Sequence, residues 1–313
     1  MIDPYAPCRL CPRRCGADRR ALQRGLCGET AALRIAAAVL HRGEEPPVAG
    51  SRGSGAIFLT GCALGCVFCQ NAQISRSGMG RAVDRPEFVA LCLALQERGA
   101  ENINLVTGSH CVPALADFLH AARGEGLVIP ILWNSSSYET PETLYLLKDL
   151  VDVYLPDLKT LDSALAGRFF KAPDYPEAAE QAILRMLDYR GEPRWNGPIL
   201  VSGVIVRHLV LPGYIESTRR VLEWFARHCK GRSLLSLMTQ YTPVAADDPI
   251  PRRYISRDEY EQLLEWLGEL SIEDGFCQEP VPGAAWLPDF GRTNPFLPEF
   301  SAPVWHWKTG LLP

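Results

Sequence analysis

The most informative stretch of this sequence is Ala56-Ile-Phe-Leu-Thr-Gly-Cys-Ala-Leu-Gly-Cys-Val-Phe-Cys-Gln-Asn71. It begins with an apolar run of the kind that forms a buried strand. Three cysteines follow directly, namely Cys62, Cys66 and Cys69. Because a 4Fe-4S cube requires one thiolate for each iron, three thiolates leave one iron open to another ligand. The stretch therefore predicts a strand that leads into an iron–sulfur cluster with an open coordination position.

Two other interpretations apply to closely spaced cysteines. Three cysteines and a fourth ligand from elsewhere can form a closed tetrahedral zinc site. Disulfides are disfavoured, since the chain has 11 cysteines, an odd number, and its N-terminus lacks a basic region followed by an apolar one. Disulfides are typical of secreted proteins. We therefore expect reduced thiols and a cytoplasmic location.

Composition narrows the class of protein without identifying it. The chain has 313 residues and a formal net charge of -4, which is enough length for a large core and does not fit a basic nucleic-acid-binding surface. No apolar run approaches the roughly 20 residues that cross a bilayer. We expect a soluble enzyme with neither a membrane nor a nucleic-acid partner.

Beyond residue 54, apolar runs alternate with segments that have helix-capping residues. Parallel strands that are covered on both faces lose the alternation of polar residues, and six runs fit this description. Asp84, Thr140 and Ser256 occupy positions typical of helix N-caps. The pattern predicts a partial (β/α)6 TIM-like barrel with its site in the loops after the strands. The six runs are residues 55–60, 102–107, 127–133, 151–155, 199–206 and 233–239.

Charged residues occur at the ends of two predicted strands. Asp157 and Lys159 are two positions apart, so a strand places both on one face, directed into the barrel mouth; the alternative is an exposed pair in a loop. Arg207 shares the predicted inward face with Gly203 and Ile205. A buried arginine requires an anionic partner, which is either a ligand carboxylate or an acid of the protein.

The spacing C-x-x-x-C-x-x-C resembles that of the radical S-adenosylmethionine (SAM) enzymes. Over nearly its whole length, the chain also resembles proteins similar to pyruvate formate-lyase activating enzyme. This resemblance implies that the open iron binds SAM and that reductive cleavage gives methionine and a 5′-deoxyadenosyl radical. The further matching stretches are Asn102-Ile-Asn-Leu-Val-Thr107, Tyr154-Leu-Pro-Asp-Leu-Lys159, Ile205-Val-Arg-His-Leu-Val-Leu-Pro-Gly213, Ser236-Leu-Met-Thr-Gln-Tyr241 and Leu287-Pro-Asp-Phe290.

The resemblance also implies a SAM site at the barrel mouth. Phe68, the aromatic residue before the third cysteine, would meet the adenine through its backbone. Asp157 and Lys159 match an Asp-x-Lys element that lies beside SAM in activating enzymes. Arg207 matches an arginine near the SAM carboxylate.

The end of the second predicted strand departs from the family pattern. Radical SAM enzymes often have Gly-Gly-Glu there, but this chain has Thr107-Gly-Ser-His110. Ser109 or backbone carbonyls would then accept the hydrogen bonds of the SAM ammonium. His110 is either a proton carrier or a hydrogen-bonded structural histidine. Asn134 and Ser136, after the third strand, are candidates for contact with the ribose or the methionine part of SAM.

Four N-terminal cysteines form a second motif, C-x2-C-x3-C-x11-C. Four thiolates can enclose one zinc or iron ion; a cluster and unligated thiols are the alternatives. Nearby arginines would offset the thiolate charge or, as a further alternative, contact nucleic acid. The four cysteines are Cys8, Cys11, Cys15 and Cys27.

These observations predict three regions. Residues 1–50 form a Cys-rich metal-binding segment and linker, residues 51–275 the radical SAM partial barrel, and residues 276–313 a Pro- and aromatic-rich tail packed on the barrel. The remaining four cysteines are expected to be buried small hydrophobic residues. They are Cys92, Cys111, Cys229 and Cys277.

The resemblance implies a specific hydrogen donor, a glycine of a partner glycyl radical enzyme. It also implies an electron donor such as flavodoxin or ferredoxin. Two alternatives remain open. The protein is either a radical SAM enzyme that acts on a small molecule or on another protein, or a non-catalytic iron–sulfur or zinc-binding protein.

Overall fold

A mixed β-sheet forms the centre of the computed structural model, which describes residues 3–244 and 250–313. Helices cover its outer face. The described strands are β1 (Arg34–His41), β2 (Ser54–Leu59), β3 (Arg81–Ala82), β4 (Ile103–Val106), β5 (Ile131–Ser135), β6 (Val153–Pro156), β7 (Arg194–Asn196), β8 (Ile199–Leu209), β9 (Leu234–Met238), β10 (Gly275–Cys277), β11 (Ser301–His306) and β12 (Gly310–Leu311).

The six predicted parallel strands are confirmed. β2, β4, β5, β6, β8 and β9 are neighbours in that order, and each adjacent pair is parallel. β10 adds one further parallel strand beside β9. The full path of neighbours runs from β10 to β12, and in the described part of the chain these two ends are not paired with each other. The fold is therefore the predicted partial TIM-like barrel.

Three of the described helices begin at the predicted caps Asp84, Thr140 and Ser256. The side chain of Asp84 accepts a hydrogen bond from Glu87 N, and Ser256 forms a capping box with Glu259. Such caps typically contribute about 1 kcal/mol each. None of the described helices is long and apolar enough to span a bilayer. The helices are α1 (Pro46–Ala49), α2 (Ala72–Ser75), α3 (Arg85–Glu97), α4 (Val112–Gly124), α5 (Pro141–Tyr145), α6 (Ser163–Phe170), α7 (Tyr175–Arg190), α8 (Ile215–His228) and α9 (Arg257–Glu269).

Strand alternation separates an outer core from an inner one. Along β5, Trp133 packs into the main core between the sheet and the helices, whereas Leu132 belongs to a smaller cluster on the other face. Successive side chains of a strand point to opposite faces of the sheet, so neighbouring residues such as these belong to different clusters. The inner cluster closes the base of the barrel and leaves the strand ends above it free to carry polar residues.

Strand β1 lies within the segment that the sequence analysis assigned to a metal site and linker. It pairs antiparallel with β2 on one side and with β11 on the other. Its sequence, Arg34-Ile-Ala-Ala-Ala-Val-Leu-His41, contains three alanines, which favour helix over strand. Pairing with two neighbours, rather than local propensity, therefore determines this strand.

The C-terminal strands β11 and β12 complete the sheet on the side of β1 that faces away from β2. β11 pairs with β1 from Ala37 opposite His306 to His41 opposite Ser301. Upstream of β11, the Phe290 and Phe296 rings lie 5.3 and 5.4 Å from the ring of Phe58 on β2. These aromatic contacts hold the C-terminal segment against the sheet.

Candidate active site

A cavity of about 750 Å³ opens at the carboxyl ends of the parallel strands. This volume lies within the range of small-molecule and cofactor sites. Most of the residues predicted to bind the cluster and SAM line it. They are Cys62, Cys66, Phe68, Cys69, Asn134, Ser136, Asp157, Lys159 and Arg207.

The three clustered cysteines lie on the loop after β2, as predicted. Burial raises the pKa of the Cys62 and Cys66 thiols. The Cys69 Sγ atom lies 3.4 Å from Ser75 Oγ. Thiols with raised pKa values lose their protons when a metal binds. Their shared cavity and their chemistry fit a 4Fe-4S cluster.

Asp157 and Lys159 form an ion pair at the cavity wall. The Lys159 Nζ atom lies 2.6 Å from Asp157 Oδ2, and the two side chains are 17% and 21% exposed. Burial opposes the charged form of Lys159, but the Asp157 carboxylate outweighs it and raises the pKa of the ammonium. Tyr175 fixes the turn, since its hydroxyl donates to Asp157 O and accepts from Lys159 N. The alternative of an exposed pair in a loop does not describe this arrangement.

Arg207 is paired with acids of the protein. It donates from Nη2 to Glu44 Oε2 at 2.6 Å and from Nε to Glu45 Oε1 at 2.9 Å, with a further contact to Glu45 Oε2. Burial opposes the charge of Arg207, but the two carboxylates raise its pKa. The sequence left either a ligand carboxylate or an acid of the protein as the partner of Arg207, and the structure shows two acids of the protein. Contact with the SAM carboxylate stays a prediction.

Phe68 lies against an aromatic cluster beside the cysteines. Its ring centroid is 5.7 Å from that of Phe169 and 6.0 Å from that of Tyr241, both edge-on. Asn134 and Ser136 also line the cavity. The contact between the Phe68 and Phe169 rings holds the cysteine loop against α6.

Ser109 is directed away from the cavity. Its hydroxyl donates to Glu139 Oε1 at 2.8 Å, and this buried carboxylate also accepts from Trp133 and Ser135. The structure thus does not bring Ser109 together with the other predicted SAM contacts. Burial lowers the pKa of His110 to about 3, and its buried Nδ1 atom has no hydrogen-bond partner, so neither the proton carrier nor the hydrogen-bonded structural histidine is decided.

The N-terminal cysteines surround a buried arginine. Arg19 is 1% exposed; its Nη1 lies 3.7 Å from Cys8 Sγ and 2.6 Å from His110 O. A Cβ added to Gly25 would lie 3.3 Å from both Cys15 Sγ and Cys27 Sγ, so a larger residue would crowd these thiols. Within residues 3–244 and 250–313, no three His, Cys, Asp or Glu side chains are already arranged around a point suited to a metal ion. The N-terminal metal stays a prediction.

The N-terminal segment is attached to the loop that bears Cys62. Arg13 donates to Ala63 O at 3.2 Å and to Leu64 O at 3.0 Å. The Cys62 amide donates to Cys27 O at 3.2 Å. These hydrogen bonds join the two cysteine motifs into one structural unit, which their separation in the sequence did not indicate.

The sequence analysis missed several residues of the cavity. Glu44 and Glu45 lie in the stretch interpreted as a linker, yet they line the cavity. Two adjacent acids in an otherwise Pro/Gly-rich stretch were the available signal. Other residues come from strand ends and the C-terminal segment, and only the fold brings them together. They are Ser236, Gln240, Gln278 and Trp286.

Comparison with known families identifies the class of enzyme. The sequence model of the radical SAM superfamily matches residues 56–225, more than half of the chain. The chain belongs to the radical SAM superfamily. Membership implies a 4Fe-4S cluster and SAM, and it confirms the radical SAM part of the prediction. It leaves open the assignment to the branch that resembles pyruvate formate-lyase activating enzyme.

Individual relatives are distant. An uncharacterized protein of Methanocaldococcus jannaschii is 29% identical over 278 residues, which cover 86% of this chain and 76% of that protein. SuiB of Streptococcus suis has a TM-score of 0.52 at 13% identity over 70% of this chain. SuiB bound to S-adenosylmethionine has a TM-score of 0.50 at 14% identity over the same share. The chain spans about half the length of SuiB, 47% and 48% in these two structures, and the likeness shows the fold alone.

Proposed function

We propose that this radical SAM protein binds SAM at a 4Fe-4S cluster on Cys62, Cys66 and Cys69, and that it activates a partner protein by removing hydrogen from a glycine. One observation carries the SAM-cleaving part: the three thiols share a cavity with the Asp157–Lys159 pair. When bound, the cluster and SAM supply reductive cleavage to methionine and a 5′-deoxyadenosyl radical. An electron donor such as flavodoxin or ferredoxin is required for that step.

The protein's own residues bind and orient SAM and exclude water. Lys159 and Arg207 each carry a positive charge held by carboxylates, so these carboxylates limit how far either side chain moves toward a ligand. Leu64, Val106 and Leu209 provide apolar surface along the same cavity. Apolar lining keeps water away from reactive species.

The proposed partner requires access from the side of the barrel. A glycine within another polypeptide reaches the site only if a loop can enter. The described sheet does not close on itself, because the β10 and β12 ends of its path are unpaired with each other. This opening supports a macromolecular substrate. A small-molecule substrate is the second candidate, favoured by the size of the cavity.

The cluster assignment is tested by replacing each of Cys62, Cys66 and Cys69 with alanine. Each replacement should abolish 5′-deoxyadenosine formation in anaerobically reconstituted protein with reductant, because a cube that loses a thiolate no longer holds SAM in place. Cys92→Ala is the matched control, since Cys92 is fully buried in α3. Full SAM cleavage by any of the three variants would exclude that cysteine as a ligand.

The N-terminal cysteines are proposed to hold one zinc or iron ion. The Arg19 guanidinium lies 3.7 Å from Cys8 Sγ and would compensate thiolate charge there. Metal analysis of a chain that lacks Cys62, Cys66 and Cys69 should still find about one zinc or iron per molecule. A metal-free chain in that measurement would refute the N-terminal site.

A further inference from the structure

Charge is distributed unevenly between the N-terminal segment and the rest of the chain. Residues 1–28 contain six arginines and two aspartates, a net charge of +4, whereas residues 29–313 contain 26 basic and 34 acidic side chains, a net charge of -8. A zinc ion on four thiolates would add a charge of about -2, which leaves the segment positive. Four of its arginines are exposed, and they are Arg9, Arg14, Arg20 and Arg24.

One loop of this segment, residues 20–26, presents apolar side chains to solvent. Leu22 and Leu26 are 78% and 71% exposed, which places them among the three most exposed large apolar side chains of the described residues. Arg20 and Arg24 belong to the same loop. Single exposed leucines are common, but two of them so close together, with charged residues around them, are typical of a surface that contacts a partner.

Hydrogen bonds hold this exposed loop in place. Asp18 Oδ1 accepts from Ala21 N at 2.9 Å, and Gln23 Oε1 accepts from Asp18 N at 2.8 Å. Leu22 has a φ of 65°, in the left-handed region that is unfavourable for a leucine. The fold therefore retains a strained leucine at a position where burial does not compensate the strain.

The exposed loop ends directly beside the loop that bears the cluster cysteines. Cys27 follows Leu26, and the Cys62 amide donates to Cys27 O at 3.2 Å. Because consecutive Cα atoms are 3.8 Å apart, Leu26 lies within about 10 Å of the Cys62 backbone. Among the described residues that line the cavity, none belongs to the exposed loop. A partner on this loop is thus close to a proposed cluster ligand while the SAM cavity stays free.

We propose that the exposed loop is the docking surface for an acidic one-electron carrier, an inference that rests on the proposed function because SAM cleavage requires an electron. One electron leaves the reduced carrier and enters the cluster, so the carrier is oxidised and the cluster is reduced, and no proton or group is transferred. Arg20 and Arg24 attract the acidic face of the carrier, and Leu22 and Leu26 contact it in the complex. The negative charge of the rest of the chain disfavours docking elsewhere.

Binding of oxidised carriers to the reconstituted holoenzyme tests the surface without electron transfer. The probes are purified oxidised flavodoxin and oxidised ferredoxin of the same organism, and titration calorimetry gives the Kd. The double variant Leu22→Asn/Leu26→Asn should raise the Kd of at least one carrier about tenfold or more, because apolar contact is lost. Asparagine accepts the φ of Leu22 more readily than leucine does, so the unfolding temperature should not fall. Val128→Asn is the matched control, because Val128 is 79% exposed and follows α4.

The rate of association tests the charge of the loop. The double variant Arg20→Gln/Arg24→Gln should slow association with the carrier severalfold at low ionic strength and weaken the dependence of this rate on salt. Stopped-flow mixing measures both effects. The Arg20–Asp3 ion pair is exposed, so its loss should change stability little. Lower affinity of this variant for an RNA oligonucleotide, with unchanged association of both carriers, would overturn the proposal in favour of a nucleic-acid partner.

Equal Kd values of the wild type and Leu22→Asn/Leu26→Asn for both carriers, or no binding of either carrier to the wild type, would also overturn the docking surface. Dithionite reduces the cluster without protein docking, so the leucine variant should form 5′-deoxyadenosine at the wild-type rate with dithionite. Loss of that activity would instead assign the leucines to the support of the cluster. A failure of the proposed function appears in the wild type with dithionite, whereas a failure of docking appears only with protein carriers, so the two are distinguishable.

Discussion

Arg207 is a buried cation whose two carboxylate partners come from a distant part of the chain. Glu44 and Glu45 precede it by more than 160 residues, so this ion pair forms only once the barrel has assembled. Removing one member of a buried pair leaves the others uncompensated, which typically costs about 3–5 kcal/mol. Arg207 is thus a structural element of the cavity as well as a predicted SAM contact.

We expect Arg207→Ala to lower the free energy of unfolding by about 3–5 kcal/mol, because Glu44 and Glu45 would remain buried without their cation. SAM binding should weaken as the cavity rearranges. Urea unfolding under anaerobic conditions measures the first effect, and titration of the reconstituted cluster with SAM measures the second.

The matched control is Arg227→Ala, at an exposed position near the end of α8, which should change stability by less than about 0.5 kcal/mol. A variant at Arg207 that keeps wild-type stability but loses SAM affinity would assign the arginine to the ligand instead. Unchanged stability and unchanged SAM affinity would contradict both roles.

At the scale of elements, the sequence predicts the parallel strands well and the antiparallel strands poorly. Residues 55–59 of β2 are apolar and buried on both faces, and this pattern follows directly from burial between helices and the barrel interior. β1 has the same burial, but its three central alanines favour helix. Its strand conformation depends on β2 and β11, which the sequence alone does not bring together.

The residues of the candidate site likewise fall into those that the sequence predicts and those that it does not. The cysteine loop and the Asp157–Lys159 element were predictable, because each is a short motif whose function depends on local spacing. The interaction of Glu44 with Asn104 was not, since 60 residues separate them and neither carries a motif. The structure does not bring Ser109 to the cavity, because a 3₁₀ turn, Ser109–Cys111, follows β4 and its hydroxyl donates to Glu139; its contact with SAM stays a prediction.

The loop that bears the cysteines depends on an element outside the barrel. Arg13 donates to the carbonyls of Ala63 and Leu64 and also to Phe170 O at 2.6 Å and to Lys171 O. One guanidinium therefore joins the N-terminal segment, the cysteine loop and the end of α6. Arg13→Gln should destabilise this junction by about 1–3 kcal/mol and loosen the cluster.

The rate at which a chelator removes iron from the reconstituted protein measures this effect. We expect severalfold faster loss from Arg13→Gln, with a changed spectrum of the reduced cluster. Arg14→Gln is the matched control, because Arg14 is the next residue and is exposed. Equal rates of iron loss in the two variants would show that Arg13 only stabilises the fold.

At the scale of the whole molecule, the open sheet and the cavity place different demands on the substrate. The described sheet does not close on itself, because its β10 and β12 ends are not paired with each other, and the cavity has a limited volume of about 750 Å³. A loop of a partner protein satisfies both conditions if it presents one residue at its tip. Glycine suits such a tip because it accepts backbone conformations that other residues avoid.

We therefore expect hydrogen transfer from a single glycine of a co-expressed glycyl radical enzyme. Deuterium placed on that glycine should appear in 5′-deoxyadenosine, and electron paramagnetic resonance should detect a persistent carbon radical on the partner, because the hydrogen removed from the α-carbon leaves an unpaired electron there. Cys66→Ala provides the matched control and should give neither signal. SAM cleavage at full rate without deuterium transfer, and without a radical on any glycyl radical enzyme of the same organism, would instead support a small-molecule substrate that fits wholly within the cavity.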